Sequence, residues 1–263
     1  MVPLREGGSL PAVVETDADG AFVVKFRGAG QGPKALIAEA LVAVIGTLLG
    51  LPVPPPALIE LAAGFGRGEP DPEIQDILCA SVGVNFGLSY LPSALAFDPA
   101  VDGPGLDPER AADIVWFDAY LTNVDRTPRN PNLLVTGDRL WLIDHGAALY
   151  VHHRWAGWRE RIHSPFAPIA EHVLLPFAGD LLAADARLRP RLDRATLGEV
   201  VATVPDEWLH PEPDVGDTSA VRSAYLTYLV ERVNGPRPWL EQAIAARARG
   251  PRPLRVRTTH RVV

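Results

Sequence analysis

The sequence contains a single cysteine, Cys79, among its 263 residues. One thiol cannot supply an internal disulfide framework or a multi-cysteine zinc site. The first residues, MVPLREGGSLPAVVE, lack the apolar run of a secretory signal peptide, because charged residues and glycines interrupt them. We therefore expect a protein of a reducing compartment, with a cytoplasmic location.

Surplus positive charge is also scarce. The chain carries 25 Lys and Arg against 32 Asp and Glu, which gives a formal net charge of -7 at pH 7. Binding to a nucleic-acid backbone needs clustered cations in excess. The basic residues that do cluster are in the carboxyl-terminal tail: Arg249, Arg252, Arg255, Arg257 and Arg261. We expect no direct nucleic-acid partner.

The longest apolar run is ALIAEALVAVIGTLLGLPVPPP. It contains Glu39 and ends in prolines, which predicts a buried helix and no membrane partner. Pro33 suits the first turn of this helix and Gly50 its C-terminal cap. A buried carboxylate is costly without a partner, and Lys25 in the apolar strand FVVKF has the same problem. We predict that Glu39 and Lys25 pair; the alternative is that each reaches water independently.

The composition changes near residues 97–109, from a β-rich first third to a mainly helical last third. Residues 9–26 are typical of a hairpin with its turn at Asp17–Gly20, whereas GFGRGEPDPE predicts a solvent-exposed loop. These patterns predict an α+β protein with a β-rich lobe over residues 1–95 and a mainly helical lobe over residues 96–263.

A dense polar segment, NVDRTPRNPNLLVTGDRLWLIDHGAA, covers residues 123–148. Its runs LLV and LWLI are β-like, and TGDR between them is typical of a hairpin turn. This turn places Asn132 opposite Ile143, and Asp144 next to Pro131. Four side chains with hard oxygens then gather at the open end of the hairpin: Asp125, Asn130, Asn132 and Asp144.

Metal-dependent phosphoryl transfer needs a group that orients the attacking hydroxyl, ligands for Mg²⁺, and a cation on the nucleotide phosphates. Asp125 suits the first task, Asn130 and Asp144 the second, and Lys25 the third. Magnesium accepts one carboxylate and one carboxamide when phosphate oxygens complete its shell. The spacing of Asp125 and Asn130 is that of the aspartate and asparagine in the protein-kinase catalytic loop. The alternative is ordinary turn chemistry, in which Asp and Asn are common.

The motif VDRTPRNPNLL followed by LIDHGAAL resembles the catalytic loop and metal-binding motif of HipA-like kinases, and is also similar to the DRxxxN…IDxG pattern of phosphoinositide lipid kinases. GGSLPAVVETDADGAFVVKF, the helix with Glu39, and LLGLPVPPP occur in the same order as in small HipA-like proteins. The resemblance covers roughly residues 5–150, and more weakly the helical remainder. It implies a two-lobed protein-kinase-like fold, with a β-rich N-lobe, a mainly helical C-lobe, and ATP between them.

Carried over residue by residue, the resemblance implies that Lys25 contacts the nucleotide phosphates and that Glu39 orients Lys25. Asp125 would be the catalytic aspartate, and Asn130 and Asp144 would bind Mg²⁺. The phosphate-covering loop before the lysine strand would contain Gly7, Gly8 and Ser9.

The phosphate acceptor and the oligomeric state are left open. The resemblance favours a serine/threonine protein acceptor, but a small-molecule kinase would use the same residues, and a catalytically silent nucleotide-binding protein would keep the same fold. A partner-dependent, DNA-associated complex follows from family analogy alone. The motif IDHG places His145 where the common kinase motif has an aromatic residue. The stretch GAGQGPK matches neither the Walker frame nor the Rossmann glycine pattern.

Several histidines after the hairpin match no common zinc motif, so we expect them at the surface: His152, His153, His163 and His172. The tryptophans are expected in the core or between the lobes, including Trp116, Trp141, Trp155 and Trp158.

Overall fold

The computed structural model describes residues 1–3, 10–17, 20–30 and 32–250. The predicted phosphate-covering residues Gly7, Gly8 and Ser9, and the basic tail from residue 251, lie outside the described residues.

Strands dominate the first part of the chain and helices the last part. The strands are β1 (Val2–Pro3), β2 (Ala12–Glu15), β3 (Ala21–Lys25), β4 (Pro56–Leu61), β5 (Gly83–Ser89), β6 (Leu95–Ala96), β7 (Leu133–Thr136) and β8 (Arg139–Leu142). The helices are α1 (Gly32–Leu49), α2 (Pro72–Ala80), α3 (Pro108–Tyr120), α4 (Trp158–Arg161), α5 (Leu181–Leu188), α6 (Arg194–Ala202), α7 (Thr218–Asn234) and α8 (Pro238–Arg249). The predicted α+β class is confirmed.

An antiparallel sheet in the order β1-β2-β3-β5-β4 forms the first part of the fold. β2 and β3 are the predicted hairpin, and its turn is closed by the Thr16 N–H, which donates to the Gly20 carbonyl at 3.1 Å. Gly20 has a φ of 100°, a conformation that glycine adopts without steric cost. The hairpin fixes the end of β3, where Lys25 lies opposite Phe86 of β5.

Helix α1 packs between this sheet and the helical part of the chain, with contacts to β4, β5 and α6. By length and composition α1 could cross a membrane, but 67% of it is buried inside the protein, as in the core helix of a globular domain. Gly50 ends the helix with a φ of 75°, and the Leu51 N–H donates to the Gly46 carbonyl at 2.9 Å. The burial of α1 leaves Glu39 with no access to solvent.

The second hairpin consists of β7 and β8, and β6 pairs with the other edge of β7. Leu133 lies opposite Leu142, and the Ile143 N–H donates to the Asn132 carbonyl at 3.1 Å. The predicted register, with Asn132 opposite Ile143, is therefore confirmed. The Leu142 N–H also donates to the Pro52 carbonyl at 2.8 Å, which ties this hairpin to the segment that follows α1.

The chain passes from the first sheet to the second between the end of β5 at Ser89 and the start of β6 at Leu95. The division of the lobes at residue 95 stays a prediction.

The helical part is organised around α3, which packs against α5 and α8. Asp107 caps α3 by accepting a hydrogen bond from the Glu109 N–H at 3.0 Å. Trp116 of α3 and Trp239 of α8 are fully buried, with ring centroids 5.5 Å apart in an edge-to-face arrangement. Such a pair adds about 0.5–1.5 kcal/mol to the gain from burial. Helix α3 is thus fixed beneath the loop that begins at Leu121.

The prediction of surface histidines is wrong for His152 and His172, which are buried. Nδ1 of His152 lies 3.0 Å from the hydroxyl of Tyr225, and Nε2 of His172 lies 2.9 Å from Oδ2 of Asp118. Burial of an imidazole is tolerated when a hydrogen-bond partner is in place, and residue spacing did not reveal these partners. His153 is exposed, as predicted.

The segment GFGRGEPDPE is not wholly a solvent-exposed loop, so that prediction is wrong in part. Phe65–Gly68 form a 3₁₀ turn in which Gly66 is buried, and α2 begins inside the segment at Pro72. Asp71 caps α2 by accepting from the Glu73 N–H. An aspartate followed by proline is a helix-start signal, and here it applies.

Candidate active site

Three charged side chains that are distant in sequence meet at the end of β3. Nζ of Lys25 contacts Oε1 of Glu39 on α1, and lies 2.5 Å from Oδ1 of Asp144, which follows β8. The Glu39 side chain is fully buried and that of Lys25 is 14% exposed, whereas the Asp144 side chain is 45% exposed. The predicted pairing of Lys25 with Glu39 is present, and the alternative in which each reaches water independently is wrong.

The charges of this cluster stabilise one another. Burial lowers the pKa of Lys25, but the carboxylates of Glu39 and Asp144 outweigh burial and raise that pKa to about 12. Burial raises the pKa of Glu39 against the opposing charge of Lys25. For Asp144, burial would also raise the pKa, but the charge of Lys25 outweighs it and lowers the pKa. At neutral pH Lys25 is therefore cationic and Asp144 anionic.

The loop between α3 and β7 folds Asn130 back onto Asp125. Thr127 and Asn130 exchange backbone hydrogen bonds at 3.0 and 3.1 Å, which closes the turn. Nδ2 of Asn130 then donates to Oδ2 of Asp125 at 2.8 Å. Nδ2 of Asn132 donates to the Asp125 carbonyl at 3.1 Å and approaches Oδ2 at 3.4 Å. The five-residue spacing thus gives direct side-chain contact between Asp125 and Asn130.

Two of the polar residues have left-handed backbone conformations. Asn132 has a φ of 50° and Asp144 a φ of 52°. Asn and Asp tolerate this region better than other non-glycine residues, but it is sparsely populated and persists where surrounding structure fixes it. Such positions are concentrated at functional sites.

The donor chemistry of Asn130 and Asp144 fits a magnesium ion. Asn130 uses its Nδ2 to bind Asp125, so its Oδ1 is left as a hard oxygen donor. The Asp144 carboxylate is anionic and partly open to solvent. Within the described ranges there is no group of three or more His, Cys, Asp or Glu that could hold a metal. Magnesium does not need such a cage, because it binds through one or two carboxylates and substrate phosphates.

A family model described as HipA-like kinase matches residues 2–242. This chain belongs to the HipA-like kinase family. The crystal structure of the Helicobacter pylori proinflammatory kinase CtkA is similar to this HipA-like kinase with a TM-score of 0.58 and 14% sequence identity, over 94% of each chain. At that identity the similarity concerns the fold alone, and it confirms the predicted two-lobed protein-kinase-like architecture. No curated protein matches the chain.

Sequence reasoning missed the buried residues behind the Asp125 loop of this HipA-like kinase. Arg126 and Asp118 form an ion pair with Nε 2.6 Å from Oδ2, and both side chains are fully buried. Asp118 interrupts the apolar helix sequence IVWFDAYL, so the need of a buried charge for a partner was a usable signal. His172, which also contacts Asp118, follows the loop by many residues and lies in no motif.

A cavity of about 360 Å³ adjoins the loop of the HipA-like kinase that contains Asp125. Its lining residues come from the segment after β3, the start of α1, the Asp125 loop and the segment after Asp144: Gly30, Ala35, Val124, Gly146, Ala147, Tyr150 and His153. Val124 immediately precedes Asp125, so a molecule in this cavity would lie next to the predicted catalytic aspartate.

Proposed function

We propose that this HipA-like kinase is an ATP- and magnesium-dependent phosphotransferase that moves the γ-phosphate to a hydroxyl group. The observation that carries the proposal is the contact of Lys25 with both Glu39 and Asp144. A polar hairpin turn requires neither a buried lysine nor a fully buried glutamate. Burying charged side chains costs free energy even when they pair. Ionisable side chains whose pKa values are shifted by burial and by a charged partner are concentrated at functional sites.

The nucleotide side of the site is assigned to the cluster around Lys25. Lys25 would contact the phosphates, since its ammonium has three donors and can keep Glu39 while it binds an oxygen of the nucleotide. Glu39, fixed in the core on α1, would orient the ammonium. Asn130 and Asp144 would hold Mg²⁺, which when bound neutralises charge on the β- and γ-phosphates.

The acceptor side of the site is assigned to Asp125. Asn130 and Asn132 both donate to Oδ2 of Asp125, so Oδ1 is the oxygen that can accept the proton of an incoming hydroxyl. Anchoring one carboxylate oxygen fixes the direction of the other. Asp125 would thereby orient the hydroxyl and take its proton as the phosphoryl group is transferred.

The family favours a serine or threonine side chain of a protein as the acceptor. A small-molecule acceptor is the second candidate, because the cavity of about 360 Å³ beside Val124 falls in the size range of small-ligand sites. The residues that transfer the phosphate are the same for both acceptors, so they do not distinguish a protein from a small molecule. Incubation of the purified protein with labelled ATP and either a protein extract or a metabolite fraction separates the two.

Transfer by Asp125→Asn and Asp144→Asn variants tests the mechanism. We expect each to lose about 100-fold or more of the transfer rate, the scale of a lost general base or metal ligand. Asp138→Asn is the matched control, since Asp138 is an exposed residue of the β7–β8 turn and the chemical change is the same. The control should keep the wild-type rate, and all three variants should unfold like the wild type.

Undiminished transfer by either Asp125→Asn or Asp144→Asn would refute the assigned mechanism. A wild-type protein that binds ATP in calorimetry, but neither transfers nor hydrolyses its γ-phosphate, would indicate the catalytically silent nucleotide-binding alternative.

A further inference from the structure

A second buried polar cluster lies behind the proposed site and is centred on Arg126. Its Nη1 donates to the carbonyl of Asn132 and lies 3.3 Å from the carbonyl of Ile143. Its Nη2 lies 3.2 Å from Nδ1 of His145. One guanidinium therefore contacts both chain neighbours of Asp144.

The same guanidinium acts at both strained positions of the site. Asn132 and Asp144 have positive φ values, and such conformations need surroundings that fix them. Arg126 binds the carbonyl of Asn132 itself and the carbonyl of Ile143, the peptide that leads into Asp144. Arg126 is also the chain neighbour of Asp125, so a single residue connects the backbone at the predicted catalytic carboxylate, Asp125, with that at the predicted metal-binding carboxylate, Asp144.

Arg126 is held in turn from α3 and from the segment after α4. Oδ2 of Asp118 accepts from Nε of Arg126 at 2.6 Å and from Nε2 of His172 at 2.9 Å, while Asn123 donates to Oδ1 at 2.9 Å. The Leu174 N–H donates to Nδ1 of His172 at 3.1 Å, so the imidazole is a neutral ring with its proton on Nε2. Burial lowers the pKa of His172, which agrees with a neutral ring.

We propose that Arg126, Asp118 and His172 are positioning residues that fix Asp125 and Asp144 relative to each other. This inference rests on the proposed function. It adds His172, which lies far from the sequence motifs, to the residues that support the site. The Val173 N–H donates to the Arg126 carbonyl at 3.0 Å, so the segment of His172 holds Arg126 at both its main chain and its carboxylate partner.

Loss of this network should change turnover more than nucleotide binding. Lys25, the proposed phosphate contact, and Glu39, which would orient it, make no hydrogen bond to Arg126, Asp118 or His172 among the described residues. A displacement of about 1 Å between reacting groups costs about 100-fold in rate. We therefore expect kcat to fall while KM for ATP changes little.

Two substitutions at His172 form a matched pair. The amide nitrogen of a glutamine can occupy the position of Nε2, so His172→Gln keeps a donor for Asp118, whereas the shorter His172→Asn reaches only the position of Nδ1. We expect His172→Asn to lower kcat about 10-fold, the scale of lost support behind a site, with KM for ATP within about 2-fold. His172→Gln should restore most of the rate. Arg126→Lys keeps the charge but loses the planar fork, and should lower kcat about 100-fold.

These rates are compared per folded enzyme, after thermal unfolding has given the folded fraction of each variant. Equal kcat in His172→Gln and His172→Asn, or a rise in KM as large as the fall in kcat, would overturn the positioning role. A role in stability alone would move the unfolding temperature and leave kcat per folded enzyme unchanged.

Hydrogen exchange tests the network without turnover. The Ile143 amide donates to the Asn132 carbonyl that Arg126 also binds, so Arg126→Lys should speed its exchange about 10-fold and leave amides of β3 unchanged. Unchanged exchange at Ile143 would refute the network whatever the enzyme does with ATP. If Arg126→Lys speeds the exchange at Ile143 but the wild-type protein transfers no phosphate, the network restrains the loop as proposed. Only the proposed function would then be refuted.

Discussion

Substitution of Lys25 by methionine should show what the buried pair contributes to stability. Glu39 is fully buried and in direct contact with Lys25, so Lys25→Met leaves a carboxylate in the core without its cation. Removing one partner of a buried pair costs about 3–5 kcal/mol of unfolding free energy. The lost contact with Asp144 should add little, because the Asp144 side chain is 45% exposed and water can replace the ammonium.

The loss should depend on pH, because Glu39 can lose its charge by taking up a proton. Burial already raises the pKa of Glu39 above its ordinary value of 4.5, and removal of Lys25 takes away the charge that opposes this rise. Between the unfolded and the folded pKa, the folded variant binds a proton that the unfolded chain has released. Stability therefore falls as pH rises from about 4.5, by at most about 1.4 kcal/mol per pH unit, until the folded pKa is passed.

Urea unfolding between about pH 5 and about pH 8 measures this effect. The gap between wild type and Lys25→Met should widen with pH. The double variant Lys25→Met/Glu39→Met should recover most of the stability and lose the pH dependence, because well-packed apolar residues replace buried ion pairs at little or no cost. A Lys25→Met gap that is equal at both ends of the range, or one that Glu39→Met does not close, would refute the reasoning.

Two further predictions concern the metal and the core. Asn130→Ala should raise the magnesium concentration for half-maximal transfer about 10-fold, because an oxygen ligand is lost. Urea unfolding should not change, because the Asn130 side chain is exposed. An unchanged magnesium requirement would show that Asn130 does not bind the metal. Trp116→Ala should cost about 3–5 kcal/mol in urea unfolding, because Trp116 is fully buried against Trp239, whereas Trp141→Ala at a half-buried position should cost less. Equal losses in the two tryptophan variants would contradict this account of the core.

The parts of the site that could be predicted from sequence are those fixed by short-range rules. The side-chain period of two and a glycine-containing turn determine the β7–β8 register, which places Asn132 opposite Ile143. The cost of an unpaired buried charge determines the pairing of Lys25 and Glu39 across separate elements. In both cases one residue restricts its partner to very few positions.

The parts that could not be predicted depend on long-range packing. His172 contacts Asp118 from 54 residues away, and an isolated histidine gives no sign of whether its ring will be buried. Asp118 lies inside an apolar helix sequence, and a buried carboxylate there needs a partner. The sequence does not single out Arg126 as that partner among the arginines near the loop. The sequence could therefore have indicated that Asp118 has a buried partner, but not which residue that partner is.

The two sides of the site reach rigidity by different means. Lys25 and Glu39 lie on β3 and α1, where backbone ladders and core packing already fix the main chain. Asp125 and Asp144 lie on irregular segments, and Asp144 has a backbone conformation that its own residue type does not favour strongly. Irregular segments become precise only when side chains satisfy their carbonyls, and the buried guanidinium of Arg126 does this for the segments on both sides. Substitutions around Lys25 should therefore act mainly on nucleotide affinity and stability, whereas substitutions around Arg126 should act mainly on turnover.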